Sequence, residues 1–308
     1  MSGKIAITMS SFTQEDLFSL NLLNAQGFQL VNNKCGRKLN KEETLKLCSG
    51  CVGIVAGTEV YDRDMLGRLS GLKVISRCGA GVDNIDLKAA KRLGIEVFST
   101  PDAPTLAVAE LTVGLILNLL RKVNQMDIIV RKGRWKKLMG NLIFEKKVGI
   151  IGFGRIGQKV GELLSAFGVE LAYCDIESKV CSINCKQKTF DKILSWADIL
   201  TLHLSSPAEC SPIIAARELK LMKKGSWLIN LSRGGIVDEK ALYYALKNGH
   251  LSGAAVDVFE QEPYTGPLRE LDNIILTAHI GSYAKEARVK MEAEAVRNLL
   301  RGLRVSID

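Results

Sequence analysis

Beyond residue 146 the chain alternates short apolar runs with segments of helical period. Apolar runs at 148–151, 170–174, 199–204, 227–231, 254–259 and 274–277 predict strands, with helices between them at 156–167, 190–196, 215–222 and 238–248. Strands that are apolar on both faces and separated by helices belong to a parallel sheet covered on both sides. The first hundred residues repeat this on a smaller scale, with strands predicted at 5–9, 28–31, 53–56, 74–77 and 97–99. One intervening helix, 86–93, stops at Gly94, a residue suited to a left-handed C-terminal cap.

Between the two alternations lies 104–121, apolar on nearly every face. A helix apolar all round is expected to be buried all round, here between domains or subunits. A last helical segment, 283–300, has no sheet of its own to join and is predicted to return to the first domain. The pattern therefore reads as α/β, with two doubly wound parallel-sheet domains. One is a flavodoxin-like domain, 1–100 plus 282–308; the other is an inserted Rossmann domain, 101–281, with a helix and arm at 104–145. Ligands of open α/β sheets sit beyond the carboxyl ends of the strands, so the site is expected there, where the two domains meet.

Composition narrows the class. Of 308 residues, 47% are hydrophobic and 24% charged, as in ordinary globular proteins. No N-terminal segment resembles a secretory leader. The longest apolar run, 106–120, is interrupted by Glu110, Thr112 and Asn118 and is shorter than the ~20 residues a membrane span needs. A cytoplasmic protein without membrane attachment is expected. Eight cysteines include a C-x-x-C at Cys48 and Cys51 and a group at Cys174, Cys181 and Cys185. With three histidines and no second ligand set at zinc spacing, they read as buried thiols of a reducing compartment, and no metal is expected. The net charge of +9 comes with basic patches at 131–137 and 220–224. No zinc-finger spacing, helix-turn-helix signature or aromatic interleaving supports nucleic acid, so the expected partner is a small anion.

The strand at 148–151 runs straight into a glycine turn, VGIIGFGRIG. Gly152 permits the tight bend, Gly154 lets the backbone approach a pyrophosphate, and Gly157 lets the helix pack on the strand. Amides of Arg155 and Ile156 at the helix start would face the phosphates. Asp175 ends the next strand, where a carboxylate accepts from ribose hydroxyls and repels a 2′-phosphate. Ile176, Glu177 and Ser178 follow it, with no arginine, which predicts NAD over NADP.

Three histidines can be weighed individually. His250 follows Asn248-Gly249 and reads as a surface or C-cap residue; His203 ends the strand ILTLHL and reads as lining the cofactor crevice. His279 follows the strand IILTA and precedes Gly281, at a carboxyl end where it can face a substrate. A proton-transferring histidine benefits from a carboxylate partner, and AAVDVFEQEP offers Asp257, Glu260 and Glu262. Arg233, at another strand end before two glycines, can fork onto the carboxylate and carbonyl oxygens of a 2-oxo acid.

With these motifs in hand, the chain resembles the D-isomer-specific 2-hydroxyacid dehydrogenases, and among them most the 3-phosphoglycerate dehydrogenases. The similarity runs through GAGVDNID (79–86), TLAVAEL (105–111), GFGRIG (152–157), NLSRGGIVDE (230–239), DVFEQEP (257–263) and AHIGSYAKEA (278–287). The resemblance implies that the first domain binds substrate and that the helix and arm form a homodimer. It implies that Arg233 binds and polarises substrate, and that Glu262 orients and charges His279, the general acid/base. Backbone amides of Gly79, Ala80, Gly81 and Val82 would hold the substrate carboxylate. Thr105, Asp257 and Gly281 would line the nicotinamide end of NAD, with Ser232 and His203 also near the cofactor.

For a phosphorylated substrate the resemblance offers Arg77 and, from a partner's arm, Arg134, Lys136 and Lys137; Ala56 and Gly57 stand where an arginine is often found. Two prolines common in the family are replaced, by Ser205 after Leu204 and by Ala278 before His279. With the chain ending at Asp308, a C-terminal regulatory domain and serine feedback through it are expected to be absent. The expected reaction is NAD-dependent interconversion of D-3-phosphoglycerate and 3-phosphohydroxypyruvate, a step of serine biosynthesis. Glyoxylate or hydroxypyruvate reduction is the alternative, and an NAD-sensing corepressor the remote one.

Overall fold

A computed structural model describes residues 3–12, 15, 17–205 and 212–305. The chain divides into two compact units, Met1–Pro104 with Tyr283–Asp308, and Thr105–Ser282.

In the first unit the strands are β1 (Lys4–Ile7), β2 (Gln29–Asn32), β3 (Gly53–Ala56), β4 (Val74–Arg77) and β5 (Glu96–Ser99). The helices are α1 (Phe18–Ala25), α2 (Lys41–Cys48), α3 (Arg63–Arg68) and α4 (Leu87–Arg92). The sheet is parallel in the order β2-β1-β3-β4-β5, the flavodoxin-like order. Side chains alternate across it: Ala6, Ile54 and Ile75 pack with Tyr61, Met65, Leu66 and Ala90 on one face. Ile5, Ile7, Val55 and Val74 face the other way. Asp62 and Asp86 cap α3 and α4 by accepting from the Met65 and Ala89 amides. Gly94, just past α4, has φ +70°, as a left-handed cap requires.

The second unit begins with α5 (Thr105–Arg121) and α6 (Val123–Arg131). Its strands are β6 (Lys147–Ile151), β7 (Glu170–Cys174), β8 (Cys185–Gln187), β9 (Ile199–Leu202), β10 (Ser226–Asn230), β11 (Leu251–Val256) and β12 (Ile274–Leu276). Helices α7 (Arg155–Ser165), α8 (Phe190–Trp196), α9 (Ala216–Leu221) and α10 (Glu239–Lys247) connect them. The sheet is parallel in the order β12-β11-β10-β9-β6-β7-β8. It has one strand more than the apolar pattern announces, because β8 reads CKQ, is short, and pairs only at the edge with β7. The last helix, α11 (Lys285–Gly302), returns to the first unit, where Met291, Ala295, Val296, Leu299 and Leu300 cover Ile5, Ile7 and Val74.

Within the single chain the helix expected at 104–121 is not buried all round. α5 buries Ala109, Thr112, Ile116 and Leu120 but leaves Leu106 half exposed and Glu110 and Gly114 open. α6 buries nothing, and beyond it Trp135 is 86% and Met139 89% exposed. Isolated apolar side chains at a surface are ordinary; here Val123, Ile128, Val130, Trp135, Met139, Leu142 and Phe144 are all exposed along one segment.

Candidate active site

Because every strand in the second unit is parallel, all carboxyl ends lie along one edge of its sheet. The order reverses between β6 and β9, which is where open α/β sheets form their ligand crevice. The glycine turn sits there. Gly152 has φ +85°, and a Cβ on it would collide with the His203 carbonyl, so the position admits only glycine. A Cβ on Gly157 would collide with the Gly152 carbonyl. Gly154, the N-cap of α7, has nothing within 4 Å of where its Cβ would be and no side-chain cap. Open space above a glycine and a helix N-terminus lacking a side-chain cap are the features a pyrophosphate needs.

Asp175 follows β7 directly. Its Oδ2 accepts from the Phe153 amide at 2.7 Å and its Oδ1 from the Glu177 amide at 3.2 Å, so the carboxylate is aimed by the glycine turn itself. Each oxygen keeps a lone pair for a ribose hydroxyl. Ile176 beside it is fully exposed. His203 follows β9, with Nε2 2.9 Å from Thr201 Oγ1. Its Nδ1 is sealed from solvent without a partner among the described residues, and burial pushes its pKa down to about 3. The ring is neutral at working pH. These residues fit a dinucleotide.

Three adjacent strands, β10, β11 and β12, bring up the remaining candidates. After β10, the Ser232 hydroxyl and amide both donate to Asn230 Oδ1, at 2.7 and 3.1 Å. Arg233 is half-buried, and its Nη1 donates to the Ser232 carbonyl at 2.8 Å. Gly234 follows because a Cβ there would strike the Phe259 carbonyl.

After β12 comes His279, in the left-handed region at φ +54°. Its Nδ1 donates to the Glu262 carboxylate at 2.9 and 3.1 Å, and Glu262 Oε1 accepts from the Phe259 amide at 3.1 Å. That bond fixes the tautomer and leaves Nε2 turned away from Glu262. Side-chain exposures of 44% for His279 and 38% for Glu262 leave the ring accessible. A pair this open contributes little stability, so its value lies in holding the ring.

Of the three carboxylates nominated near His279, Glu262 is therefore the partner. Asp257, almost fully buried, does something else. Its carboxylate accepts from Thr277 Oγ1 at 2.6 Å and from the Ile280 and Gly281 amides at 2.8 Å each, and its carbonyl accepts from the His279 amide at 2.9 Å. Four bonds clamp the loop that carries His279, enough to hold a non-glycine residue left-handed. Thr277 was not singled out in the sequence; its part depends on a partner twenty residues away. Glu260 is exposed, its amide donating to Glu239 at 2.8 Å. Thr105 opens α5. His250, expected at the surface, instead donates from Nε2 to the Leu219 and Met222 carbonyls at 2.9 and 3.1 Å, tying down the end of α9.

In the first unit, the loop after β4 holds Gly79, Ala80, Gly81 and Val82. The Gly79 amide donates to Thr100 Oγ1 at 2.8 Å, while the next three amides donate to no described residue. Consecutive amides left open in this way are available to an anion. Gly79 has φ +146°, and the Arg77 guanidinium occupies the space a Cβ would need, with Nη1 donating to the Cys78 carbonyl. The sequence reading sends Arg77 outward to a substrate phosphate. The structure folds it back onto its own loop, because glycine at 79 leaves room for the guanidinium there.

Residues 113–281 match the family model described as the D-isomer specific 2-hydroxyacid dehydrogenase, NAD binding domain. The chain is 41% identical over 275 residues to the D-3-phosphoglycerate dehydrogenase of Methanocaldococcus jannaschii, covering 86% of this chain and 52% of that one. It is 40% identical over 255 residues to the glyoxylate reductase of Thermofilum pendens, covering 79% and 75% respectively. The crystal structure of the TT0316 protein from Thermus thermophilus superposes with a TM-score of 0.90 at 33% identity, covering 98% of this chain and 97% of that chain. The chain spans about half the length of the phosphoglycerate dehydrogenase it matches. Among the described residues no helix is long and apolar enough to cross a membrane. NAD is the cofactor of the second unit, and the chain belongs to the D-isomer specific 2-hydroxyacid dehydrogenases.

Proposed function

We propose that the protein interconverts a D-2-hydroxy acid and its 2-oxo acid, using NAD. The observation that carries this reading is the grouping of Arg233, Glu262 and His279 at the carboxyl ends of neighbouring strands, on the same edge as the glycine turn. The cofactor, when bound, would supply a hydride to the substrate's C2 as NADH or take one away as NAD+. Gly152, Gly154 and Gly157 with the amides of Arg155 and Ile156 would hold its pyrophosphate, and Asp175 its ribose. Thr105, Ser232, Asp257 and Gly281 would border the nicotinamide end.

The amides of 79–82 take the substrate carboxylate. Arg233 offers its planar fork to the carboxylate and the carbonyl oxygen, drawing electron density off C2. In reduction His279 Nε2 gives its proton to the carbonyl oxygen, and in oxidation it takes the hydroxyl proton back. Glu262 holds the ring at Nδ1 throughout, and Asp257 holds the loop. The exposed apolar segment from α6 to Phe144 would be covered by a second copy, giving a homodimer.

The finer assignment, D-3-phosphoglycerate with 3-phosphohydroxypyruvate, is supported by the phosphoglycerate dehydrogenase relative and by the exposed basic arm at Arg134, Lys136 and Lys137. A small unphosphorylated acid, such as glyoxylate or hydroxypyruvate, is supported by the glyoxylate reductase relative and by Ala56 and Gly57, which bring no cation where the resemblance expects an arginine. The test is NADH oxidation with phosphohydroxypyruvate, hydroxypyruvate, glyoxylate, pyruvate and 2-oxoglutarate in turn. A rate with none of them would remove the reading.

A further inference from the structure

In the first unit's sheet the strand order reverses between β1 and β3, which makes the carboxyl ends of those two strands that sheet's own ligand crevice. Thr8 follows β1 there and Gly57 follows β3. Two residues on stands Glu59, only 3% exposed. Its Oε2 accepts from Thr8 Oγ1 at 2.6 Å and from the Gly57 amide at 3.2 Å. Thr8 Oγ1 is in turn approached by the Tyr61 hydroxyl at 3.2 Å and the Gly57 amide at 3.0 Å, so the hydroxyl's own proton is committed to Glu59.

Both of those donors go to one oxygen. Glu59 Oε1 accepts from no described residue, and among the described residues no lysine, arginine or histidine pairs with the carboxylate. Neither is Oε1 one of the polar atoms sealed away without a partner. A buried carboxylate without a cation is expensive. Capping Thr8 and Gly57 does not require one, since a glutamine amide oxygen could take both bonds. What glutamate adds is a second, negatively charged acceptor open to the crevice. The loop that carries it is stitched to the 79–82 loop: Asn84 Nδ2 donates to the Glu59 and Gly57 carbonyls at 2.6 and 3.3 Å. An acceptor at Glu59 is therefore held at a fixed distance from the amides proposed to grip the substrate carboxylate.

We infer that Glu59 sets substrate choice: its Oε1 receives a hydroxyl on the C3 end of a short 2-oxo acid, and its charge turns away a substrate that ends in phosphate. The inference rests on the dehydrogenase reading and on the carboxylate binding at 79–82. A phosphate dianion brought to this crevice would meet an unpaired carboxylate, with Ala56 and Gly57 offering no cation and the Arg77 guanidinium engaged with Cys78. A hydroxyl would find an acceptor already desolvated and aimed. Sites built to bond a substrate hydroxyl discriminate strongly against the analogue that lacks it.

The test measures kcat/KM with NADH for hydroxypyruvate, pyruvate and phosphohydroxypyruvate, in wild type and in Glu59→Gln, with NADH affinity and thermal unfolding recorded for both. The expected wild-type ranking puts hydroxypyruvate at least tenfold above pyruvate and above phosphohydroxypyruvate. In Glu59→Gln the ratio of hydroxypyruvate to pyruvate falls severalfold and phosphohydroxypyruvate gains relative to both. A wild-type preference for phosphohydroxypyruvate, or ratios unchanged in the variant, overturns the role of Glu59 and leaves the dehydrogenase reading standing. Should Glu59→Gln fail to fold, Glu59→Asp, with the charge kept and the reach shortened, must show the same fall in the hydroxypyruvate ratio, and an unchanged ratio overturns the inference. If wild type binds NADH yet reduces none of the three acids, nor glyoxylate or 2-oxoglutarate, the dehydrogenase reading falls and takes the inference with it.

Discussion

Replacing Asp257 by asparagine exchanges one carboxylate oxygen for an NH2 group and tests how the His279 loop is held. The remaining oxygen can still accept from Thr277 and the Ile280 amide, but the new NH2 group faces the Gly281 N–H, which Oδ2 accepts at 2.8 Å in the native protein. Losing a charge-assisted bond costs about 1.5–3 kcal/mol, and leaving a buried amide unpaired about 1–3 kcal/mol more. Gly281 is buried, so water offers little relief. A total near the lower bounds, about 3 kcal/mol, corresponds to a fall in Tm of roughly 6–12 °C for a unit of this size. Calorimetry should show that fall in the unfolding of Thr105–Ser282. Relaxation of the loop also releases His279 from its left-handed backbone, so kcat should drop severalfold or more while the NADH dissociation constant moves little. Thr277→Val, which removes a single charge-assisted hydroxyl bond, should cost about 1.5–3 kcal/mol by the same reasoning. If Asp257→Asn unfolds within 2 °C of wild type and keeps its kcat, Asp257 does not clamp this loop.

Asp175→Ala should narrow the preference for NAD over NADP, read as the ratio of kcat/KM for the two cofactors, because it removes the carboxylate that repels a 2′-phosphate; an unchanged ratio would assign the selectivity elsewhere. Arg233→Lys should raise KM and lower kcat together, since an ammonium cannot fork onto two oxygens, and wild-type kinetics in that variant would exclude Arg233 from the substrate. His203 has a folded pKa of about 3 against 6.5 in the unfolded chain. The unfolded state therefore takes up the proton first, and the stability from keeping the ring neutral, present above pH 6.5, is lost as pH falls toward 3. Urea unfolding at pH 7 and pH 5 should show His203→Gln losing about 1–2 kcal/mol less than wild type over that interval; an equal loss would mean the ring is not buried as drawn.

The sheet strands were legible because buried parallel strands are apolar runs that helices separate. What escaped was whatever tertiary context alone creates. β8, with two polar residues in three, pairs only because it lies beside β7 at an edge. The break between α5 and α6 falls at Lys122, left-handed at φ +54° with no glycine or proline to announce it. The helix α2 did carry a local signal, a capping box between Asn40 and Glu43, that the apolar pattern alone did not use. Gly152, Asp175 and His279 were readable because a strand's carboxyl end is a functional address in this architecture, whereas the residues alone left Glu262 as one of three carboxylates. The inward turn of Arg77, the bonds of His250 to the end of α9 and the unpaired carboxylate of Glu59 were not, since each depends on which loop a side chain meets.

The measurement closest to the central claim compares wild type with His279→Ala in two assays, NADH binding and steady-state NADH oxidation with the best 2-oxo acid of the panel. The account predicts that the variant binds NADH as tightly as wild type while kcat falls by about 10²–10⁴-fold, the usual worth of a positioned general acid. A variant that retains wild-type turnover, or one whose loss is explained wholly by weaker NADH binding, would contradict the assignment of His279 as the proton donor.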